Sequence, residues 1–319
     1  MRTRCIGSLM AVAVLLAGVG MVSAGVIRQD IEFDGRPVVL IFPENFDKGY
    51  DLISLVLHLH GALPFPNAPD LELDASGYRD LPGKYRVMVA APRAAFNQTL
   101  GLFTWNSFLS LVGCGPQNED AVGFLNSLLN ELLATYPIDP QRVYIYGYSS
   151  GAGMAHRMAC SNAERFAGIV AGAGFTLGDP QLCAPSVPIS VLQFHSKGDE
   201  VVLFEGGNFG PLVADPGNPA CDYPGAIELL TRWADLNGCR GELKFGKKPK
   251  FDRIFPPSLG RLLRITLEKH WSYGAEKRWK RLPTFYACSL EWAMESPTRR
   301  ESLRAARPGA HPAPTLISH

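Results

Sequence analysis

A five-residue segment with glycine at both ends, Gly147–Gly151, restricts the fold of this chain more than any other feature. An apolar, β-branched run precedes it at residues 142–146, and small, helix-favouring residues follow at 152–159. A sharp turn from a strand into a helix is strained, and flanking glycines relieve crowding because larger side chains would collide with the neighbouring strand and helix. The pattern therefore predicts an α/β protein that presents Ser149 on a strand–turn–helix elbow.

The rest of the chain alternates predicted strands with predicted helices. Residues 27–33 and 37–42 form an antiparallel opening hairpin around Asp34-Gly35. Near-continuous apolar runs, typical of strands buried on both faces of a parallel sheet, lie at 52–59, 85–91, 166–172 and 188–194. Helices are predicted at 118–133, after the elbow, at 224–233 and at 285–294, with a last strand at 261–267. These elements predict a mostly parallel sheet with helices on both faces.

The ends of the chain differ from its middle. Two arginines, an apolar stretch from about residue 9 to 22 and small residues up to Ala24 have the layout of a cleavable secretory signal over 1–24. We therefore expect a secreted or, in a bacterium, periplasmic protein with no membrane association after cleavage. One domain is expected over 25–295, and the Pro- and Arg-rich residues 296–319 are expected to be a disordered tail.

Cysteine count and charge narrow the possible partners. Six cysteines remain after residue 24, an even set that favours disulfides in an oxidising compartment. Six cysteines allow 15 connectivities, among which we favour a Cys160–Cys183 pair. The formal net charge of +1 provides no general field for nucleic acid. We expect a monomer that acts on a small or polymeric substrate.

Ser149 requires two partners if it is to act as a nucleophile. A serine hydroxyl is weak at neutral pH, so a histidine must take its proton and an acid must hold that histidine. Asp199 follows the predicted strand 188–194, at the end of the strand where open sheets carry functional loops. Glu200 is the alternative acid.

Negative charge that develops on a carbonyl oxygen during attack needs backbone N–H donors. We expect these donors from Ser150 and from Gly61 and Ala62, which follow the strand 52–59. His60 is expected to order that loop and, with Trp105, to line the substrate site. His58 and His60 are also spaced as a metal pair, but no second cluster at ligand spacing accompanies them, so we predict neither metal nor cofactor.

The histidine is the least determined partner. His270 follows the predicted strand 261–267, and the order serine, acid, histidine agrees with that of α/β-hydrolases. His156 lies on the helix after the elbow, His195 precedes the acid, and His311 and His319 lie in the tail, so each is a poorer candidate. The predicted triad is Ser149, Asp199 and His270.

Several motifs in one order resemble the polyhydroxybutyrate depolymerase and feruloyl esterase family of secreted α/β-hydrolases. The motifs are Leu57-His-Leu-His-Gly61, Thr104-Trp-Asn106, residues 119–125, residues 138–144, the Ser149 elbow, Phe194-His-Ser-Lys-Gly-Asp199 and residues 233–239. The resemblance runs from about Ile31 to Gly246. It implies an α/β-hydrolase fold and a carboxylesterase that acts on polyester or on acyl groups of plant polysaccharide, with Ser149 as nucleophile and Asp199 as acid.

The chain departs from that family near its C-terminus. The family places its histidine in a Gly-Gly-x-His turn before a closing helix, whereas Lys280 and Arg281 stand at that place here. The segment from about residue 247 is therefore expected to be diverged or wrongly translated. A second hypothesis is a secreted binding protein without a working histidine. A lipase with an apolar helical lid is disfavoured because residues 62–80 read as a loop rich in proline and acidic residues.

Overall fold

The computed structural model describes residues 17–23, 25–46, 52–107, 112–114, 120–213, 215–239, 245–246 and 284–286. The strands are β1 Ala17–Ser23, β2 Val26–Phe33, β3 Arg36–Pro43, β4 Ile53–Leu59, β5 Val87–Pro92, β6 Phe96–Asn97, β7 Leu102–Phe103, β8 Ile138–Tyr148, β9 Gly168–Gly172, β10 Ser190–Phe194, β11 Gly206–Asn208, β12 Asp222–Pro224, β13 Phe245–Gly246 and β14 Thr284–Tyr286. The α-helices are α1 Ala68–Ser76, α2 Ala121–Thr135, α3 Ser150–Asn162 and α4 Ala226–Leu236. The predicted strand 261–267, His270 and the tail 296–319 lie outside the described residues.

One large sheet organises these elements, in the order β1-β2-β3-β5-β4-β8-β9-β10-β14-β13. Its centre, from β5 through β10, is parallel, and β1, β2 and β3 form an antiparallel edge. At the other edge β14 is antiparallel to both β10 and β13. The α/β-hydrolase fold, with its mostly parallel sheet and N-terminal hairpin, is therefore confirmed.

Strand periodicity divides the core into two layers. On β4, Leu55 and Leu57 pack with α2, α3 and α4 on one face of the sheet, while Val56 packs with α1 residues such as Leu73 on the other. Alternate side chains of a strand point to opposite faces, so a run that is apolar at every position buries both. The predicted runs were continuous for that reason.

Two sequence predictions about local structure are wrong. Residues 62–80 were expected to form a loop, yet α1 forms there, because Pro69 lies in the first turn, where proline is tolerated, and Leu73 and Glu72 are buried against the sheet. The helix expected over 285–294 is wrong at its first two residues, because Phe285 and Tyr286 belong to β14, while residues 287–294 lie outside the described residues. The pairing of Phe285 and Tyr286 with β10 outweighs the helical pattern, and aromatic side chains favour a strand.

Two disulfides join segments that are distant in sequence. Cys160 of α3 pairs with Cys183, as favoured from the sequence, and Cys114 pairs with Cys221 beside β12. At the start of the chain, β1 lies within the segment predicted as a signal and pairs with β2. Within the described part of the chain, no helix has the length and apolarity needed to cross a bilayer.

Candidate active site

Ser149 lies between the end of β8 and the start of α3, in a backbone conformation that residues other than glycine rarely adopt. Its φ is 52° and its ψ is −118°. A residue other than glycine in this region carries backbone strain of about 1–3 kcal/mol, which persists only where surrounding structure imposes it. The N–H of Ser149 donates to Gly172 O at 2.9 Å, and its carbonyl accepts from Gly153 N–H at 3.0 Å. The elbow is thus fixed from both sides.

The two glycines of the elbow are required by steric fit. A Cβ on Gly147 would lie 2.1 Å from Gly151 O, and a Cβ on Gly151 would lie 2.1 Å from Leu59 O. Both obstacles are backbone atoms, which cannot rotate away as a side chain can. The first turn of α3 therefore packs directly on the end of β4, and only glycine permits that approach.

The loop after β4 lies against Ser149. A Cβ built on Gly61 would contact Ser149 Cβ at 3.4 Å, so the backbone of Gly61 is immediately beside the serine. This is the position expected for the second set of oxyanion donors, opposite the N-terminus of α3. Ser150, at that N-terminus, has a buried hydroxyl with no hydrogen-bond partner among the described residues.

His60 and Trp105 hold this loop from within the protein. His60 Nδ1 lies 2.6 Å from Gly61 O, and Ala94 N–H donates to His60 Nε2 at 3.0 Å, so Nδ1 carries the ring proton. Trp105 Nε1 donates to His60 O at 2.9 Å. Burial lowers the pKa of His60 to about 4, which keeps the ring neutral near pH 7.

The His60 contact also orients a peptide group. The bond fixes the carbonyl of Gly61, and in a planar trans peptide the N–H of Ala62 points the opposite way. His60 and Trp105 are both almost fully buried and bond to protein. Their predicted part in lining the substrate site remains a prediction, whereas ordering of the loop follows from these contacts.

Asp199 lies in the loop after β10, where the sequence placed the acid. Its Oδ1 accepts from the N–H groups of Val201 and Val202, both at 3.0 Å. Its Oδ2 lies 3.6 Å from His195 Nε2, and the side chain is 12% exposed. One oxygen is thus engaged by backbone, and the other is the one left for a further donor. Glu200, the alternative acid, is exposed.

Ser149 and Asp199 both follow the C-terminal ends of central strands of the sheet. β8 and β10 both neighbour β9, and all three are parallel, so their C-terminal ends lie side by side. Two strand spacings amount to about 9.5 Å. Burial raises the pKa of Tyr148, next to the serine, to about 12, with smaller contributions from the charges of Glu72 and then Asp199.

Four of the seven histidines lie in the described part of the chain, and all four are buried. His58 Nε2 bonds to Ser76 Oγ at 2.9 Å, as expected of a core residue. His60 bonds to Gly61 and Ala94 instead, so the two rings face different partners. His156 and His195 bond to other buried groups. None of the four hydrogen-bonds to Ser149. Within the described residues, no group of three or more His, Cys, Asp or Glu could hold a metal ion.

β13 and β14 lie beside β10, the strand that precedes the loop carrying Asp199. Thr284 of β14 is paired with Phe194, the last residue of β10, and Gly246 of β13 is paired with Thr284. Gly246 and Thr284 therefore both lie level with the C-terminal end of β10, on the side of the sheet where the loops with Ser149 and Asp199 begin. His270, the predicted base, falls between these two points in sequence and outside the described residues.

Sequence reasoning missed a set of buried polar side chains behind the acid loop. Gln193, His156 and Trp233 connect through hydrogen bonds to His195, the neighbour of Asp199. His156 and His195 were considered only as poorer bases. One signal in the sequence could have pointed to Gln193, because it is a polar residue inside an apolar strand. The hydrogen bond between His156 and Trp233 of α4 left no signal in the sequence.

The same region matches known hydrolases. A family model described as Phospholipase/Carboxylesterase matches residues 92–210, which include Ser149 and Asp199. Feruloyl esterase B of Piromyces equi is 31% identical over 144 residues, 44% of this chain and 25% of that protein. Poly(3-hydroxybutyrate) depolymerase of Ralstonia pickettii is 30% identical over 128 residues, 38% of this chain and 25% of that protein.

Two further matches cover larger shares of this chain. Poly(3-hydroxyalkanoate) depolymerase C of Paucimonas lemoignei is 27% identical over 182 residues, 56% of this chain and 41% of that protein. A solved structure, that of a thermostable esterase, is 19% identical and overlaps 79% of this chain and 63% of its own with a TM-score of 0.45. The chain thus spans less than half the length of the named curated relatives. The resemblance to feruloyl esterases and polyhydroxybutyrate depolymerases is confirmed.

Proposed function

We propose that the protein is a secreted serine carboxylesterase that hydrolyses polyhydroxybutyrate-type polyester or feruloyl or acetyl esters of polysaccharide. Ser149 Oγ attacks the ester carbonyl, the alcohol leaves, and water then hydrolyses the acyl-enzyme. The observation that carries the proposal is the strained conformation of Ser149 between β8 and α3, held by two glycines that tolerate no Cβ. Such strain is typical of a functional position.

The surroundings of Ser149 supply the other parts of the mechanism. The N-terminus of α3 and the Gly61–Ala62 loop lie beside the serine, where Ser150 N–H and the loop N–H groups would stabilise the oxyanion. Asp199 retains one carboxylate oxygen for a histidine. The histidine then passes the serine's proton to the leaving alcohol, while the acid holds its orientation.

His270 is proposed as that histidine. The four described histidines are buried and bonded elsewhere, which leaves His270, His311 and His319 of the seven. The segment that carries His270 begins after Gly246 and ends before Thr284, and both of these residues lie at the edge of the sheet that holds Ser149 and Asp199. The alternative, a silent binding protein, requires that none of these three histidines reach the serine.

Secretion and substrate class rest on different observations. Two disulfides favour an oxidising compartment, in agreement with the predicted signal over 1–24. Relatives named feruloyl esterase and poly(3-hydroxybutyrate) depolymerase support an ester of an aromatic or hydroxyalkanoic acid. We propose that the mature protein is a monomer and uses neither metal nor cofactor.

A panel of esters tests this proposal. Purified protein, started at Gly25, is assayed on a chromogenic short-chain ester, methyl ferulate, acetylated xylan and polyhydroxybutyrate. We expect hydrolysis of at least one of them, and a loss on the order of 10⁶-fold in kcat for Ser149→Ala with an unchanged circular dichroism spectrum. Hydrolysis by Ser149→Ala at the wild-type rate would refute the serine mechanism, and no hydrolysis by wild type would favour the binding protein.

A further inference from the structure

A buried chain of hydrogen bonds leads from α4 to the acid loop and has no part in the mechanism above. Its members are Trp233, His156, Gln193 and His195, here called the buried relay. Each of the four is at most 1% exposed. Polar groups so deeply buried are costly unless every donor and acceptor is paired, so their arrangement is informative.

The indole of Trp233 fixes the first proton. An indole N–H only donates, so His156 Nδ1, 3.0 Å away, must accept. Burial lowers the pKa of His156 to about 4, and the neutral ring carries its single proton on the other nitrogen. His156 Nε2–H therefore donates to Gln193 Oε1 at 2.9 Å.

Gln193 transmits this orientation to the next ring. With Oε1 facing His156, its amide nitrogen donates to Gly174 O at 3.2 Å and faces His195 Nδ1 at 3.4 Å. His195 Nδ1 is consequently an acceptor, and its proton lies on Nε2. Gly174 closes the space around these groups, because a Cβ there would lie 2.8 Å from His156 Nε2.

The last proton points at the acid loop. His195 Nε2–H donates to Val202 O at 2.7 Å, with Asp199 Oδ2 at 3.6 Å. The N–H of the same Val202 binds Asp199 Oδ1 at 3.0 Å. His195 therefore fixes Val202, whose N–H binds one carboxylate oxygen of Asp199, and its ring lies close to the other oxygen.

We propose that the buried relay positions the Asp199 carboxylate for the catalytic histidine. This inference rests on the proposed function, since it concerns the acid of that mechanism. The four side chains are positioning residues and do not touch the substrate. The indole on α4 thus sets the tautomer of His195, so that the ring proton lies on Nε2 and is donated to Val202 O.

A double-mutant cycle tests the relay. His195→Leu removes the N–H that faces Val202 and Asp199, and we expect kcat to fall by roughly 10- to 100-fold with KM changed less than about twofold, as for partners that orient ligands in metal sites. His195→Gln keeps an N–H near the position of Nε2 and should restore part of kcat. In an Asp199→Asn background neither change should lower kcat further, because the oriented group is already altered.

Two more variants separate positioning from general stability. His58→Gln replaces an equally buried imidazole that bonds to Ser76 on the other face of the sheet, and its kcat should stay within about twofold of wild type. Trp233→Phe removes the N–H at the far end of the relay and reduces the volume of a buried aromatic side chain. We expect about a fivefold fall in kcat that disappears in Asp199→Asn, and this variant serves if His195→Leu does not fold.

The possible outcomes are distinct. Equal falls in kcat in the wild-type and Asp199→Asn backgrounds, or an equal fall in His58→Gln, would overturn the relay while leaving ester hydrolysis intact. If the Asp199→Asn variant kept the kcat of the wild type, Asp199 would not be the acid, and the proposed role of the relay would fail as well. Absence of hydrolysis by wild type would refute the proposed function itself.

Discussion

The nucleophile side and the acid side of the candidate site are built by different physical means. Ser149 is held by close approach of backbones, with Gly151 against Leu59 and Gly147 against Gly151. Asp199 is held by hydrogen bonds from the N–H groups of Val201 and Val202, and the buried relay bonds to the carbonyl of Val202. Steric fit is the same whatever the protonation of nearby groups, whereas a hydrogen-bonded carboxylate depends on the tautomer of each ring behind it.

Among changes that leave Ser149 in place, the largest effect should come from the acid side. Asp199→Asn loses the charge that holds the histidine, and we expect kcat to fall by up to about 10⁴-fold, the effect of this change in serine proteases. Glu200→Gln, one residue on and exposed, should change kcat by less than about twofold. Both are measured as steady-state rates on the preferred ester. The reverse order of effects would move the acid role to Glu200.

The steric side should respond in stability. Gly151→Ala places a Cβ against Leu59 O, and we expect the free energy of unfolding to fall by about 3 kcal/mol or more, measured by urea denaturation. Gly198→Ala in the acid loop is the matched control, because its Cβ would find its nearest atom, Ser196 Oγ, only at 3.9 Å. That change should stay within about 0.5 kcal/mol. Similar losses in both would contradict the contrast between the two sides.

A smaller effect is expected where the nucleophile side does use a hydrogen bond. Trp105→Phe removes the N–H donated to His60 O and loosens the loop that carries Gly61. A typical bond of this kind contributes about 1 kcal/mol, so kcat should fall about fivefold with KM little changed. A rise in KM alone would instead assign Trp105 to the substrate pocket, as the sequence first suggested.

The smallest expected effect isolates the strain at the elbow. Ser149→Gly and Ser149→Ala both remove the nucleophile, but glycine adopts a φ of 52° without the penalty that alanine retains. We expect the glycine variant to be more stable than the alanine variant by roughly 1 kcal/mol in urea denaturation. Equal stability, or greater stability of the alanine variant, would show that the elbow is not strained.

The contrast also explains what could be read from the sequence. Steric requirements leave a local pattern, so Gly147, Ser149 and Gly151 identified the elbow before any coordinates, and continuous apolar runs identified the parallel strands. Hydrogen-bonded positioning joins residues from distant segments, as Trp233 with His156, and leaves no pattern of spacing. The helix α1 was missed because prolines suggested a loop, although a proline in the first turn is compatible with a helix.

Covalent labelling tests most directly whether Ser149 is an activated nucleophile. A fluorophosphonate forms an oxygen–phosphorus bond with an activated serine as fluoride leaves and the base takes the serine's proton. Intact protein is treated with the probe, digested and analysed by mass spectrometry, with His270→Ala and Ser149→Ala in parallel. We predict labelling of Ser149 in wild type, much slower labelling in His270→Ala and none in Ser149→Ala. A wild-type Ser149 that stays unmodified while the fold is intact would contradict the account.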